Sequence, residues 1–315
     1  MSENVRLISP SAIQPNPENP RMIFREDELT SLADSISKQG ILVPLTLYED
    51  GEGFVILDGE RRWRCSLKLG LQTVPAIVQR RPERLQNIMM MFAIHNARKD
   101  WDPLPTAMKL GDLEAELTDR RGKTPTEAEL AASASMSKGE VRRLRRILAL
   151  PENEKKRLLK ELEKPRHLQI LTVDHFLETR RGVEQLVKKG AWPSSRSEIL
   201  ISAIIEKFEN KVEKSTVKPR VLPQIARAYE RRDVSHVAAT RALEKLITQK
   251  SYSLSNAYDE VAIVPEENRK IEVAARNLSD RIEEFTKDYR IITPEALTEL
   301  RRLQAIVQSI LTRDG

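Results

Sequence analysis

The first 95 residues alternate between short apolar runs that favour strands and longer stretches with helical periodicity. Val43 to Tyr48 and Phe54 to Leu57 are β-favouring runs joined by a glycine-containing loop, which predicts two neighbouring strands. Between Glu28 and Lys38 the apolar residues recur every three or four positions, as one face of a helix requires. Asp27 is predicted to cap this helix, and Gly40 to follow its end. The apolar stripe consists of Leu29, Leu32, Ala33 and Ile36.

Beyond Trp101 the strand-like runs stop, and the periodic segments are helical. A helix is predicted from Asp102 to about Leu117. Thr124, Pro125 and Glu127 then provide a capping threonine, a proline at the first helical position and a glutamate at the third, which predicts a new helix. The fold class predicted from these patterns is an α+β N-terminal domain followed by all-α regions.

A helix-turn-helix unit is predicted between residues 124 and 148. A short turn at Ala134 to Met136 separates its first helix from a second one at Ser137 to Leu148. One side of that second helix is apolar and the other is cationic. The cationic side is either merely solvated or contacts DNA, and the capped first helix and tight turn favour DNA contact. The apolar side holds Val141, Leu144, Ile147 and Leu148, and the cationic side holds Arg142, Arg143, Arg145 and Arg146.

Helices are also predicted at Val173 to Lys189, Ser197 to Glu213 and Pro223 to Lys250. Near the C-terminus two apolar stripes at helical spacing flank Thr293 and Pro294, which predicts an αα-hairpin. The hairpin either packs on the preceding helices or joins two chains, since helix-turn-helix proteins commonly pair to contact two half-sites. The stripes are Ile271, Ala274, Leu278, Ile282, Phe285 and Tyr289, and Leu297, Leu300, Leu303, Ile306, Val307 and Ile310.

The charge of the chain is unevenly distributed. Its 53 Lys and Arg residues against 47 Asp and Glu residues give a formal net charge of +6. Between Arg120 and Arg166 alone, 14 basic and 7 acidic residues give a local balance of +7. A basic block on folded helices indicates an anionic polymer as partner, most commonly nucleic acid.

Cys65 is the single cysteine of the 315-residue chain, which excludes an intramolecular disulfide and a cysteine-based zinc cluster. The N-terminus has no apolar signal region, and no apolar run approaches the roughly 18 residues of a membrane span. These features predict a soluble cytoplasmic protein without a membrane partner.

A glycine turn followed by three arginines is the strongest candidate for chemistry. Asp58 and Gly59 stand between the strand ending at Leu57 and a predicted helix. The first amides of such a helix are unpaired and carry the positive end of its dipole. With three added cations, the corner suits a polyphosphate or a DNA phosphate; the alternative is that the arginines only solvate a surface helix. The three are Arg61, Arg62 and Arg64.

Gly59 to Cys65 (GERRWRC), with Val74 to Val78 (VPAIV) after it, resembles the G-E-R-R-x-R-A and V-P-A-I-V box of the ParB/Spo0J partition family. Ser9 to Arg21 is similar to the opening strand and N-P-R turn of that family, and Gly40 to Leu45 to its G-I-x-x-P loop. His95 to Asp100 stands where the family has E-N-x-x-R. The resemblance covers roughly residues 5 to 150.

The resemblance implies a DNA clamp of plasmid or chromosome partition that is operated by CTP with Mg²⁺. It implies that double-stranded DNA is loaded through the helix-turn-helix, that the protein is a homodimer on the nucleoid or a plasmid, and that a ParA-type ATPase is a further partner. The nucleotide site would consist of Gly40, Ile41, Gly59, Glu60, Arg61, Arg62, Arg64 and Asn96. The DNA site would consist of Ser137, Lys138, Arg142, Arg143, Arg145 and Arg146, with Lys138 and Arg142 predicted to contact bases and the other arginines the backbone.

The sequence departs from the family pattern at several positions. His95 replaces the family glutamate and is a poor ligand for Mg²⁺, which prefers oxygen, so a weak CTPase activity is put in question. Val43 replaces a polar residue beside the loop proline, which leaves selectivity for cytosine open. Ser135 stands where the family has a glycine in the turn, and Cys65 where it has an alanine. No catalytic residue and no metal ligand is assigned.

Three alternative functions remain open at this stage. A ParB-fold nuclease would need clustered carboxylates, and near the box only Asp58 and Glu60 are close in sequence. A sulfiredoxin-like reductase would use Cys65. A helix-turn-helix transcriptional regulator would bind DNA without clamp activity. The predicted domains are 1–98 for nucleotide, 99–165 for DNA, 166–258 as a helical region, and 259–315 as a helical hairpin for dimerisation.

Overall fold

The computed structural model describes residues 5–96, 102–287 and 292–312. Its N-terminal part is an α/β sheet domain and the rest is largely helical, which confirms the predicted fold class. The strands are β1 (Val5–Ile8), β2 (Ile13–Gln14), β3 (Leu45–Asp50), β4 (Gly53–Asp58) and β5 (Val74–Gln79). The helices of this part are α1 (Glu26–Gln39), α2 (Glu60–Lys68) and α3 (Arg84–Asn96).

The five strands form one mixed sheet in the order β1-β5-β3-β4-β2. β3 runs antiparallel to β4, with Leu47 opposite Ile56, and parallel to β5. Because side chains alternate across a strand, the two faces bury different residues. Leu47 and Ile56 pack with Trp63 of α2 on one face, whereas Val55 packs with Met91 of α3 on the other. The sheet therefore lies between α2 and α3.

One local prediction in this domain is wrong. Asp27 lies inside the first turn of α1, and Arg25 is the residue before the helix; it makes no capping bond. The predicted glycine-containing loop between the two strands is confirmed, and it is a two-residue turn, Gly51 and Glu52, because Asp50 already pairs with Gly53. The predicted end of α1 is confirmed, since Gly40 has a φ of +72°.

The helical part begins with one long helix, which is followed by the predicted helix-turn-helix unit and by further helices. Its core is continuous across the chain from Ile88 on α3 to Ala262, so it crosses the predicted domain limits, which remain predictions. The helices are α4 (Pro103–Arg121), α5 (Glu127–Ser133), α6 (Lys138–Leu148), α7 (Glu152–Glu163), α8 (Val173–Lys188), α9 (Ser197–Glu209), α10 (Val221–Glu230), α11 (His236–Thr248), α12 (Leu254–Val261), α13 (Ile263–Lys287) and α14 (Pro294–Leu311).

Several helix bounds differ from the prediction: α4 continues to Arg121, and α9 ends at Glu209 and not at Glu213. The cap of α5 is Thr126 and not Thr124, because Glu129 and not Glu127 completes the capping box with it. The single helix predicted from Pro223 to Lys250 is broken into α10 and α11. Arg232 adopts a positive φ of 64°, and the Ser235 hydroxyl accepts the amide of Ala238 in the first turn of α11.

The two C-terminal helices are formed as predicted, but their apolar stripes lie largely in solvent. Ile271 is 66% exposed and Ile306 is 48% exposed. Tyr289 lies outside the described residues. The predicted hairpin thus leaves its apolar faces uncovered within one chain, and whether a second chain covers them remains a prediction.

Candidate functional site

The turn between β4 and α2 is the centre of the predicted nucleotide site. Gly59 has a φ of +99°, a conformation that side chains rarely adopt. A Cβ atom here would lie 3.0 Å from Nη2 of Arg62 and 3.1 Å from Cγ of Leu45. Trp63 donates its amide to the Gly59 carbonyl, so the amides of residues 60 and 61 have no helical partner. The glycine is required both by its φ and by the space around it.

A cavity of about 220 Å³ opens beside this turn. Its walls come from three parts of the chain: the segment before α1, the turn with α2, and the start of α4. The sequence patterns did not predict the first and last of these parts as site residues, although the first contains the N-P-R turn, Asn19 to Arg21. The lining residues are Asn19, Pro20, Arg21, Met22, Phe24, Leu32, Ile56, Leu57, Asp58, Gly59, Glu60, Arg61, Arg62, Asp102, Pro105 and Thr106.

Two of the three predicted arginines are held by carboxylates of the same chain. Arg62 donates to Asp58 at 3.0 Å and to the carbonyl of Pro44 at 2.9 Å. Arg64 donates to Glu60 at 2.6 Å and lies over the ring of Phe24 at 4.1 Å. The cations of the corner are therefore partly neutralised, and an anion entering the cavity would compete with Asp58 and Glu60.

Arg61 has a different environment. Its Nη2 donates to the Glu28 carbonyl at 3.2 Å, but its buried Nε has no hydrogen-bond partner in the described part of the chain. A buried donor without a partner costs free energy. Such a group beside a cavity indicates a missing acceptor, and a phosphate oxygen fits that requirement.

Three predicted nucleotide residues, Gly40, Ile41 and Arg64, are not among the residues that line the cavity. Gly40 follows the end of α1, and Ile41 packs between the sheet and the α1–α2 contact. A fourth, Asn96, ends α3, and its side chain, like that of His95, lies outside the part of the chain that is described. The roles predicted for these residues stay predictions.

The N-terminal domain is tied to the helical part by a buried arginine. Arg25, whose side chain is 1% exposed, donates to both oxygens of Asp102 at 2.8 and 2.9 Å and to the Leu162 carbonyl at 3.1 Å. Glu28 also bridges the two parts by accepting from Arg166 at 2.9 Å. Burial alone would raise the pKa of the Glu28 carboxyl, but the hydrogen bond from Arg166 and the surrounding arginine charges outweigh it, so the pKa is lowered.

The turn between α5 and α6 accommodates Ser135 at the position where the family has a glycine. Ser135 has a φ of +54°, so it takes up the left-handed conformation at the turn without being a glycine. Ser137 then caps α6, because its hydroxyl accepts the Glu140 amide while the Glu140 carboxylate accepts the Ser137 amide. Gly111 lets α4 approach α6 closely, since a Cβ there would lie 2.9 Å from Leu148.

Most of the predicted cationic side of α6 faces solvent. Lys138, Arg142 and Arg146 are exposed, while Val141, Leu144 and Ile147 are buried. Arg143 is exposed and pairs with Asp174 of α8 at 3.0 Å. Arg145 is half-buried and pairs with Glu114 of α4 at 2.6 Å. Arg142 also contacts Glu127, at 3.5 Å, the longest of these three pairs. Since the Ser137 hydroxyl is used by the cap, the residues best presented to a partner are Lys138, Arg142 and Arg146.

Metal ligands, membrane-spanning helices and the Cys65 thiol bear on the alternative functions. The described residues contain no group of three or more acidic, histidine or cysteine side chains arranged to hold a metal ion. No helix among them combines the length and the apolar character needed to cross a bilayer. The Cys65 thiol is buried, and burial raises its pKa, which is the opposite of what a reactive thiol needs.

Comparison with known sequences gives a consistent set of relatives. Residues 1–95 match the sequence profile of the ParB N-terminal domain. The chain is 36% identical over 119 residues to the chromosome-partitioning protein Spo0J of Thermus thermophilus, which covers 36% of this chain and 44% of that protein. It is 34% identical over 151 residues to the stage 0 sporulation protein J of Bacillus subtilis, covering 48% and 51%. The chain thus matches about half the length of these curated relatives.

Solved structures of low sequence identity were also compared. The truncated ParB of Caulobacter crescentus in complex with the centromeric parS site has 23% identity and a TM-score of 0.42, covering 70% of this chain and 98% of that one. The same protein in complex with CTP-gamma-S has 22% identity and a TM-score of 0.29, covering 67% and 99%.

Proposed function

We propose that the chain, whose residues 1–95 match the ParB N-terminal domain, is a ParB-type partition protein. It binds double-stranded DNA through α6, and it binds CTP at the Gly59 corner. The observation that carries the proposal is the division of α6 into a buried apolar side and an exposed side with Lys138, Arg142 and Arg146. That is the arrangement of a recognition helix.

DNA recognition follows from the position of these cations. Lys138 and Arg142 lie in the first half of α6, from which side chains of a recognition helix contact base edges. An arginine fork matches the O6 and N7 acceptors of guanine. Arg146, one turn further on, is assigned to a phosphate. Arg145 is the least available of the predicted contacts because Glu114 holds it.

The corner supports binding of a polyphosphate. The amides of Glu60 and Arg61, which precede the first amide bonded within α2, and the unpartnered Nε of Arg61 provide donors at a helix N-terminus. A cavity of about 220 Å³ is smaller than the roughly 300–1,000 Å³ of pockets that enclose whole ligands. We therefore assign the cavity to phosphate groups of CTP, with the base lying outside it.

The lining residues do not offer a ready protein ligand for Mg²⁺. Asp58, Glu60 and Asp102 each accept hydrogen bonds from an arginine of the same chain. Mg²⁺ is commonly held through substrate phosphates and waters with one or two carboxylates, so it would have to reach this site on the nucleotide. No hydrolytic step is assigned to the chain.

Self-association is assigned to the C-terminal helices. α13 and α14 expose apolar residues along their length, including Ile271, Leu303 and Ile306. Two copies would cover these faces, and a two-fold pair of α6 helices could then contact two half-sites of DNA. The nuclease and reductase alternatives gain no support from the described residues, given the paired carboxylates and the buried thiol.

The DNA claim is tested by selecting sites from a random duplex library with the full chain, with and without CTP. We expect an enriched site, and we expect Lys138→Ala and Arg142→Ala to weaken binding to it about tenfold or more while relaxing specificity. Lys188→Ala, an exposed cation outside α6, serves as the control. The assignment of DNA binding to α6 would be refuted if no site were enriched and if all three substitutions changed the affinity for duplex DNA equally.

The nucleotide claim is tested separately by isothermal titration with CTP and with a slowly hydrolysed analogue, with and without Mg²⁺. Arg61→Ala is expected to abolish the heat of binding. Arg81→Ala is the control and is expected to leave the heat unchanged, because Arg81 pairs with Asp50 at the turn end of the β3–β4 hairpin, away from the Gly59 corner. No binding of either ligand by the parent chain would remove the nucleotide claim and leave the DNA claim standing.

A further inference from the structure

A polar groove of about 440 Å³ lies between α8 and α10. Its floor is set by Gly182 on α8, where a Cβ would lie 2.9 Å from the Pro219 carbonyl oxygen and 2.8 Å from Leu222. The glycine therefore allows α8 to approach the start of α10 closely, which brings side chains of both helices to one concave surface. The groove contains Glu178, Arg181, Gln185, Arg220, Gln224 and Arg227.

The charge of this groove is unbalanced. Arg220 pairs with Glu178 at 3.1 Å, but Arg181 and Arg227 are exposed and have no ion pair or hydrogen bond among the described residues. Three arginines and one glutamate give a balance of +2. Two guanidinium groups next to glutamine amides at a concave surface present the donors that phosphate oxygens accept.

The groove lies on the same face of α8 as a residue that contacts α6. Asp174, Glu178, Arg181 and Gln185 follow at steps of four, three and four, so they form one stripe along α8. The first of them, Asp174, accepts from Arg143 of α6 at 3.0 Å. The seven residues from Asp174 to Arg181 span about 10 Å of helix, which is the axial length of about three base pairs. The stripe thus leads from α6 to the groove over a distance of about three base pairs of DNA.

We propose that this groove, the Arg181 groove, binds the phosphate backbone of the duplex about three base pairs beyond the bases that α6 contacts. The proposal rests on the proposed DNA binding by α6. Because the contacts are to phosphates, the groove adds affinity and salt dependence without adding sequence preference. It lengthens the DNA footprint on one side of each recognition helix.

The salt dependence of binding measures this contribution directly. The double variant Arg181→Ala/Arg227→Ala removes two phosphate contacts, so the slope of log affinity against log salt for a 40-base-pair duplex should become about 1.8 less steep. The affinity ratio between parent and variant should then change about twelvefold between 0.05 and 0.2 M salt. Lys188→Ala, on the same helix but outside the groove, is the matched control, and Arg181→Gln/Arg227→Gln replaces the alanine pair if circular dichroism shows loss of folding.

A second arm separates the groove from α6. On the selected site, the groove variant should lose its effect when the duplex is trimmed to a single base pair of flank, whereas Lys138→Ala/Arg142→Ala should weaken binding at either length. An unchanged salt slope, or equal effects of the groove variant on trimmed and full duplexes, would each overturn the groove assignment. If the parent chain binds no DNA, the proposed function itself fails. If the parent chain binds DNA and the groove variant binds it with the same affinity and the same salt slope, the groove assignment alone is wrong.

Discussion

Replacing Arg25 should destabilise the chain more than any surface arginine. Arg25 is buried between the sheet domain and the helical part, with two hydrogen bonds to Asp102 and one to the Leu162 carbonyl. Asp102 precedes α4 as its N-cap residue, yet it makes no capping bond because its carboxylate accepts from Arg25. The pair therefore fixes the start of α4 against the end of α7 and against the N-terminal domain.

The magnitude follows from what remains after the change. Arg25→Ala leaves the Asp102 carboxylate, 14% exposed, without its cation. Breaking a buried ion pair by removing one partner costs about 3–5 kcal/mol. Asp102→Asn keeps a carbonyl acceptor for Arg25, and Glu28 still supplies a charge at 3.4 Å, so the cost is expected at about 1.5–3 kcal/mol. Arg25→Leu/Asp102→Leu should cost less than the sum of the two leucine single variants by about 1–3 kcal/mol.

Urea unfolding followed by tryptophan fluorescence and by circular dichroism measures these free energies, provided the two transitions coincide. Arg6→Ala is the control, because the Arg6–Glu49 pair has side chains 52% and 61% exposed and should contribute about 1 kcal/mol or less. The reasoning is wrong if Arg25→Ala and Arg6→Ala have the same cost, or if the leucine pair is strictly additive.

Two further predictions concern single residues of the helical part. Because Ser135 has a positive φ, Ser135→Gly should stabilise the chain by up to about 1 kcal/mol, and Ser135→Val should destabilise it by about 1–2 kcal/mol. Thermal unfolding measures both effects, and stabilisation by valine would contradict the turn geometry. Burial lowers the pKa of His175, whose Nδ1 accepts the Thr172 amide, so the unfolded chain binds this proton more readily and stability should fall as the pH drops below about 6.5. His175→Gln, which can still cap, should flatten that dependence between pH 7.5 and 5.5, and an unchanged slope would count against the histidine.

The parts of the fold that local patterns determine were predictable. The stripe of α1, the two faces of α6 and the glycine of the turn before α2 follow from residue spacing and from the conformational freedom of glycine. The shift of the α5 cap from Thr124 to Thr126 shows the limit of that approach. Both threonines precede an acidic residue three positions later, and the choice between them depends on packing, which places Leu130 and Ala131 in the core.

The site was only partly predictable because its walls come from distant segments. Phe24 precedes α1 and Asp102 precedes α4, yet both line the cavity, and nothing in their local sequence indicates that they meet there. The pairing of Arg64 with Glu60 follows the four-residue spacing of a helix turn and could have been anticipated. The bond from Arg25 to Asp102 joins residues 77 apart in the chain and could not.

The pairing of Asp58 with Arg62 allows a last prediction that separates two roles for this carboxylate. Asp58 could hold Arg62 in place until an anion takes over, or it could be a ligand for Mg²⁺ that arrives with the nucleotide. Both side chains are about 15% exposed, so water screens the pair less than a surface pair, and it contributes about 1 kcal/mol or more. If Asp58 competes with the phosphates for Arg62, then Asp58→Asn should tighten CTP binding about fivefold.

If Asp58 instead binds the metal, the same substitution should weaken binding in Mg²⁺ and have no effect in EDTA. Titration of CTP in both buffers gives the sign directly, with Asp50→Asn as the control because that carboxylate pairs with Arg81 and does not line the cavity. Tighter binding in both buffers would mean that the internal ion pairs of the corner hold its arginines ready for a phosphate. Weaker binding confined to Mg²⁺ would refute that interpretation and assign the carboxylate to the metal.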